Sequence, residues 1–230
     1  MNLSSSSEVP RQILVIGAGM IGTCTALQLQ QRGFDVALVD RRAPGQENSS
    51  GNAGLIQREA VEPYAFPREA GFLLKAAFGL GAEVNWHASG LLQMAAPLLR
   101  YFRHSQPDAH ARATEAYSRL IAHAIDEHAP LIAAAGADEL VERQGFRFVF
   151  RSQQALDLAA ERARRLDKSF GVPHRVEDGS QLARAEPALK PRLAGALHWL
   201  QPWAVRDPGE LVRRYAALFE QRGGQVLIGD

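Results

Sequence analysis

Ile13-Leu14-Val15-Ile16-Gly17-Ala18-Gly19-Met20-Ile21-Gly22 is the stretch that decides the fold. Four apolar residues without polar alternation read as a strand buried on both faces. The glycines Gly17, Gly19 and Gly22 follow at once. A helix follows them, with Ile21, Ala26 and Leu29 on one side and Gly33 as its stop. Val36 to Val39 is a second buried strand, and it ends on Asp40. Strand, helix and strand within about 28 residues form a βαβ unit with parallel strands and a right-handed crossover.

Each glycine has a separate task. Gly17 allows the tight turn, Gly19 has no Cβ to hold a pyrophosphate off the backbone, and Gly22 lets the helix pack close to the strand. The helix N-terminus offers unpaired N–H groups and positive dipole charge to phosphates. Asp40 lies 18 residues beyond Gly22, at the strand end, where an acid accepts hydrogen bonds from an adenosine ribose. Its charge disfavours a 2′-phosphate. Arg41 and Arg42, next in the chain, read either as softening that repulsion or as solvated loop. The pattern points to a dinucleotide and does not by itself separate FAD from NAD. The following segment, Glu47-Asn48-Ser49-Ser50-Gly51-Asn52-Ala53-Gly54, is a loop of small residues that can lie close to a ligand, with Ser and Asn available to bond it.

Farther along, Glu62 to Pro67 is extended or irregular. Short helices are expected from Phe72 to Arg103, punctuated by Gly79, Gly81, Gly90 and Pro97. Ala113, Ala116, Tyr117, Leu120, Ile121, Ala124 and Ile125 recur at helical spacing, with a kink or split at Pro130. Phe146, Phe148 and Phe150 alternate with Arg147, Val149 and Arg151 as a strand of period two. Leu156 to Phe170 carries another helical stripe, His174 to Val176 a short strand, and Leu193 to Leu200 a longer one. Asp207-Pro208-Gly209-Glu210 starts a helix, with Asp at the N-cap, Pro at N1 and Glu at N3. That helix stops at Gly223-Gly224, and Gln225 to Ile228 opens a strand. A dinucleotide-binding sheet needs more parallel strands than these, so the sequence reads as C-terminally truncated.

Composition narrows the function classes. The 230 residues hold 26 Lys plus Arg against 25 Asp plus Glu, a balance that argues against a dedicated nucleic-acid binder. With 46% hydrophobic and 22% charged residues the chain is an ordinary globular sequence. The single cysteine, Cys24, allows no internal disulfide and no Cys-based zinc site, and reads as a small residue in the first helix. Met1 to Arg11 reads as a disordered tail without a signal peptide, and no apolar run approaches the ~18 residues that span a bilayer. The seven histidines show no metal-ligand spacing, so no metal site is expected.

Several runs together resemble FAD-dependent oxidoreductases of the D-amino-acid oxidase superfamily, most closely the small-subunit type of D-amino-acid dehydrogenase. They are GAGMIGTCTALQL (Gly17 to Leu29), VDRR (Val39 to Arg42), ENSSGNAGLI (Glu47 to Ile56) and PYAFP (Pro63 to Pro67). LKAA (Leu74 to Ala77) and the Glu186-Pro187 with Asp207-Pro208 pattern are also similar. The resemblance implies an α/β fold: a Rossmann-like FAD-binding domain with an inserted α+β substrate domain, incomplete at the C-terminus. The expected divisions are 12–71 for the first part of the FAD domain, 72–200 for the substrate domain, and 201–230 for the FAD domain resumed.

FAD is the implied cofactor. The residues expected to bind it are Ile16, Gly17, Ala18, Gly19, Met20, Ile21, Gly22, Asp40, Arg41, Arg42, Ser49, Asn52, Ala53, Gly54 and Leu55. The implied activity is oxidative deamination of a D-amino acid to a 2-oxo acid and ammonia, by hydride transfer to the flavin. Implied partners are the D-amino acid and a respiratory electron acceptor at the membrane. The implied location is the cytoplasm, peripheral at the inner membrane. A glycine- or sarcosine-type amine oxidase of the same superfamily, or a non-catalytic truncated fragment, are the competing readings. No catalytic residue is assigned within this chain.

Overall fold

The computed structural model describes residues 12–77, 87–189 and 192–229. In chain order the elements begin β1 (Gln12–Ile16), α1 (Met20–Gln31), β2 (Asp35–Asp40), β3 (Leu55–Ile56), α2 (Ala70–Ala77), α3 (Ala88–His104), α4 (Pro107–Ile121) and α5 (Ala124–Ala134). After a 3-10 turn at Asp138–Leu140 come β4 (Val141–Glu142), β5 (Phe146–Phe150), α6 (Gln153–Phe170), β6 (His174–Asp178) and α7 (Gly179–Ala185). The chain finishes with β7 (Gly195–Trp199), β8 (Trp203–Val205), α8 (Pro208–Gln221) and β9 (Gln225–Ile228). The expected tail Met1 to Arg11 and the punctuating Gly79 and Gly81 lie outside the described residues.

The βαβ unit forms as its sequence dictates. β1 and β2 pair in parallel, from Gln12 opposite Asp35 to Ile16 opposite Val39. β9 adds to the far edge of β2, also in parallel, giving the order β1-β2-β9. One face of this sheet closes against α1 and α8. Val36, Leu38, Ala26, Leu27, Leu211, Tyr215 and Phe219 are buried there, with Val15 and Val226 packed against them. The other face differs from expectation. β1 is not buried on both sides, for Leu14 is 59% exposed and Ile16 82% exposed. Leu14 and Ile16 alternate with Val15 onto the face that α1 and α8 do not cover, so the continuous apolar run is only half used. Of the side of α1 expected to face inward, Ala26 is buried and Leu29 packs against the core, with Thr23 and Leu27 buried beside them, while Ile21 faces solvent.

A second sheet, antiparallel in the order β5-β7-β6, places Trp199 between Phe146 and His174. Arg147 on β5 grips Glu177 on β6 through Nε–Oε2 at 2.8 Å and Nη2–Oε1 at 3.2 Å. α6 runs from a Ser152 cap, whose Oγ accepts from the Ala155 amide, to Gly171. The third sheet, β3-β8-β4, has no counterpart in the sequence reading, because strands of two and three residues are too short to show a period. α8 starts as predicted, with Asp207 Oδ1 accepting from the Glu210 amide at 2.8 Å and Pro208 in the first turn.

Two compact units result: Met1–Arg58 with Ala124–Asp230, and Glu59–His123. Within the second, Phe66 packs edge-on against Tyr101 and Phe102, and its amide donates to Ser105 Oγ at 2.8 Å. Here α3 is one helix of 17 residues where short helices were expected, and it runs through Gly90 and Pro97. Pro97 and Gln93, whose carbonyl loses its donor, are both exposed, so water can satisfy that carbonyl. The stripe from Ala113 to Ile125 breaks between Ile121 and Ala124, and Pro130 lies inside α5. Asp126, whose carbonyl Pro130 leaves unpaired, is likewise exposed.

Candidate cofactor site

The turn between β1 and α1 is built by its glycines. Gly17 adopts φ 106°, a left-handed conformation that L side chains rarely take. A Cβ on Gly22 would fall 1.7 Å from the Gly17 carbonyl oxygen, so only glycine lets the first helical turn close over the loop. Gly19 caps α1 without a side-chain hydrogen bond, and a Cβ there would meet only Ser49 Oγ at 3.5 Å. That position is a cradle which a side chain would fill.

Asp40 is drawn into the same turn. Its Oδ2 accepts from the Ala18 amide at 2.7 Å and its Oδ1 from the Arg42 amide at 3.2 Å. The Gly17 amide donates to Val39 O at 2.7 Å. The Ala18 and Arg42 amides hold the Asp40 carboxyl below its usual range, despite some opposing desolvation. A carboxylate keeps further acceptor capacity after two such bonds, so a ribose hydroxyl can still be received.

Ser49 crosses from the loop to the helix. It is buried, and its Oγ accepts from the Met20 amide at 3.2 Å. Thus Gly17 to Gly22, Asp40 and Ser49 are joined by direct bonds around the start of α1. Arg41 and Arg42 turn to Glu47, whose Oε1 lies 2.9 Å from Arg41 Nη2 and 3.2 Å from Arg42 Nε. Asn52 to Leu55 are tied elsewhere. Asn52 Oδ1 accepts from the Gly54 amide at 2.8 Å, Gly54 O accepts from the Val205 amide at 2.6 Å, and Leu55 pairs with Ala204 on β8. Ile16 and Ile21 flank the turn and are exposed.

Two features were not read from the sequence. In the sequence Glu47 is one member of a loop of small residues, and its pairing with Arg41 six residues earlier shows only in the fold. The loop also docks on the start of α8: a Cβ on Gly45 would lie 2.6 Å from Gly209 O. No sequence pattern announces that contact.

Several other titratable groups have structural roles. Burial pushes the Cys24 thiol up to about 12, which keeps it protonated and inert. His128 Nδ1 lies 3.1 Å from Tyr215 Oη, His198 Nε2 lies 2.7 Å from Gln144 O, and His110 Nε2 lies 2.7 Å from Pro63 O. Among the described residues no three His, Cys, Asp or Glu side chains cluster to hold a metal, and no helix is long and apolar enough to cross a membrane.

Comparison with known proteins adds the following. The model of a family described as FAD dependent oxidoreductase (DAO) matches residues 12–229. A D-amino acid dehydrogenase from Xylella fastidiosa (strain M12) is 32% identical over 225 residues, covering 95% of this chain and 51% of that relative. The chain therefore spans about half the length of this relative. Glycine oxidase from Bacillus cereus ATCC 14579 superposes with TM-score 0.58 at 18% identity, over 96% of this chain and 46% of that one. L-amino acid deaminase from Proteus myxofaciens gives TM-score 0.57 at 17% identity, over 99% of this chain and 40% of that one. At these identities the structural likenesses speak for the fold.

Proposed function

The chain belongs to the FAD dependent oxidoreductase family, and from that premise we propose that it binds FAD and serves the oxidative deamination of D-amino acids. The observation that carries the cofactor assignment is the Gly19 cradle at the start of α1, flanked by Ser49 and by the Asp40-held turn. The 32% identity to a D-amino acid dehydrogenase over 95% of the chain supports the substrate class. When bound, FAD supplies the hydride acceptor. This chain's residues bind and orient the ADP half. The backbone from Gly17 to Gly22 receives the pyrophosphate at the positive end of α1, Ser49 fixes the loop beside it, and Asp40 receives the ribose. Ile16, Met20, Ile21, Arg41 and Arg42, together with the loop from Asn52 to Leu55 that bonds to Val205 and β8, are assigned to the same cofactor on the sequence resemblance alone. Residues 72–200 serve as the substrate domain in this reading, and a respiratory acceptor at the membrane takes the electrons.

Flavin bleaching under anaerobic conditions tests the reading. The protein is loaded with FAD and challenged with D-amino acids, their L-enantiomers, glycine and sarcosine. Bleaching by D-amino acids is expected. Bleaching by glycine or sarcosine alone would replace the substrate class with the amine-oxidase alternative, which the glycine oxidase fold likeness keeps in view. FAD bound without bleaching by any of them would leave a cofactor-binding module.

A further inference from the structure

Glu47 sits at the crossing point of the loop that follows β2. Arg41 donates to its Oε1 from Nε at 3.2 Å and from Nη2 at 2.9 Å, and Arg42 Nε lies 3.2 Å from the same oxygen. Two successive arginines at a strand end therefore converge on one carboxylate. The Glu47 backbone is equally engaged: its carbonyl accepts from the Ser50 amide at 3.1 Å and from Ser50 Oγ at 3.0 Å. That turn has Ser49 at its apex, and Ser49 Oγ receives the Met20 amide at the start of α1. The end of β2, the Glu47 carboxylate, Ser49 and α1 thus form one continuous chain of contacts.

We infer that Glu47 is a positioning residue for the cofactor: it clamps Arg41 and Arg42 across the loop and so delivers Ser49 to the α1 N-terminus. It acts through Ser49 and does not touch the ligand. This rests on the dinucleotide reading of the site. The sign of the effect separates the clamp from a direct electrostatic role. A carboxylate acting at a distance on a pyrophosphate repels it, so removing that charge would tighten binding. Releasing the clamp weakens binding instead. The arginine pairs are largely exposed, so added salt should weaken the clamp as well.

The test is a double-mutant cycle on FAD affinity, read by quenching of flavin fluorescence, with wild type, Glu47→Gln, Ser49→Ala and the double variant. Glu47→Gln should lose about threefold in affinity and Ser49→Ala about three- to tenfold, with the double variant no worse than the weaker-binding single one. Unchanged or tighter binding in Glu47→Gln, or losses that multiply, would overturn the inference. A second measurement needs no cofactor: timed tryptic cleavage after Arg41 and Arg42 of the unliganded protein. Glu47→Gln should be cut several times faster than wild type, and equal rates would also overturn the clamp. Should wild type bind no FAD while the cleavage difference holds, the dinucleotide reading falls and the clamp stands.

Discussion

The Ala18 amide donates to Asp40 Oδ2 at 2.7 Å, so the last residue of β2 holds the glycine turn that follows β1. In the proposed reading the acid at this position would have two tasks, shaping the backbone that faces the pyrophosphate and presenting its remaining lone pairs to a ribose.

Asp40→Ala should weaken FAD binding by about 1.5–3 kcal/mol, the range for a hydrogen bond to a charged group. Isothermal titration measures it, and an unchanged affinity would remove Asp40 from the site. The same carboxylate gives a pH dependence. Its pKa is lowered in the folded protein, so its contribution to stability is full above the unfolded value near 4 and fades as pH falls through the lowered one. Wild type should therefore lose stability toward acid more steeply than Asp40→Ala, in urea midpoints recorded from pH 5 to pH 3.

Gly22→Ala should cost about 3 kcal/mol or more, because the added Cβ would overlap the Gly17 carbonyl oxygen and backbone must move. Flavin uptake should be lost with it. An alanine variant that melts like wild type and takes up FAD would refute the close approach of helix and turn.

Glu177→Gln should destabilise the protein by about 1.5–3 kcal/mol and leave FAD affinity as it is. Glu177 is buried, and Arg147 reaches it with two N–H groups, so the neutral amide leaves Arg147 with one carboxylate partner, Glu186 at 3.1 Å from Nη1, in place of two. Urea denaturation together with FAD titration separates the two effects. Cofactor affinity falling in step with stability would show that the β5-β7-β6 sheet governs the site.

His128 provides a second pH window. Burial lowers its pKa, and its Nδ1 faces the Tyr215 hydroxyl. The folded state binds the proton less readily than the unfolded chain does. Stability should be full above the unfolded value near 6.5 and decline as pH drops below it. His128→Gln, which can still accept from Tyr215, should flatten the decline in urea midpoints between pH 7.5 and pH 5.

Much of this architecture was legible because local chemistry and tertiary structure agree. The glycine turn, α1 and β2 follow from one dense stretch, and Asp207-Pro208 marks the start of α8 to the residue. The exceptions have physical causes. The exposure of Leu14 and Ile16 depends on which face of the sheet the helices cover, which a run of apolar residues does not state. β3, β4 and β8 are held by register across long separations, such as Leu55 opposite Ala204, and not by periodicity. Pro97 and Pro130 fail to break their helices because the carbonyls they leave unpaired belong to exposed residues. In the site, Asp40 was placed from its position at a strand end. Its bond to Ala18 and the convergence of Arg41 and Arg42 on Glu47 need coordinates.

An amide-resolved NMR titration of the protein with ADP decides whether the start of α1 is the cofactor cradle. The N–H signals of Gly17 to Gly22, Asp40 and Ser49 should shift together and saturate along a single binding curve, and FAD should shift the same set. Saturable shifts that spare Gly19, Met20 and Ser49, or no shifts with either ligand, would contradict it.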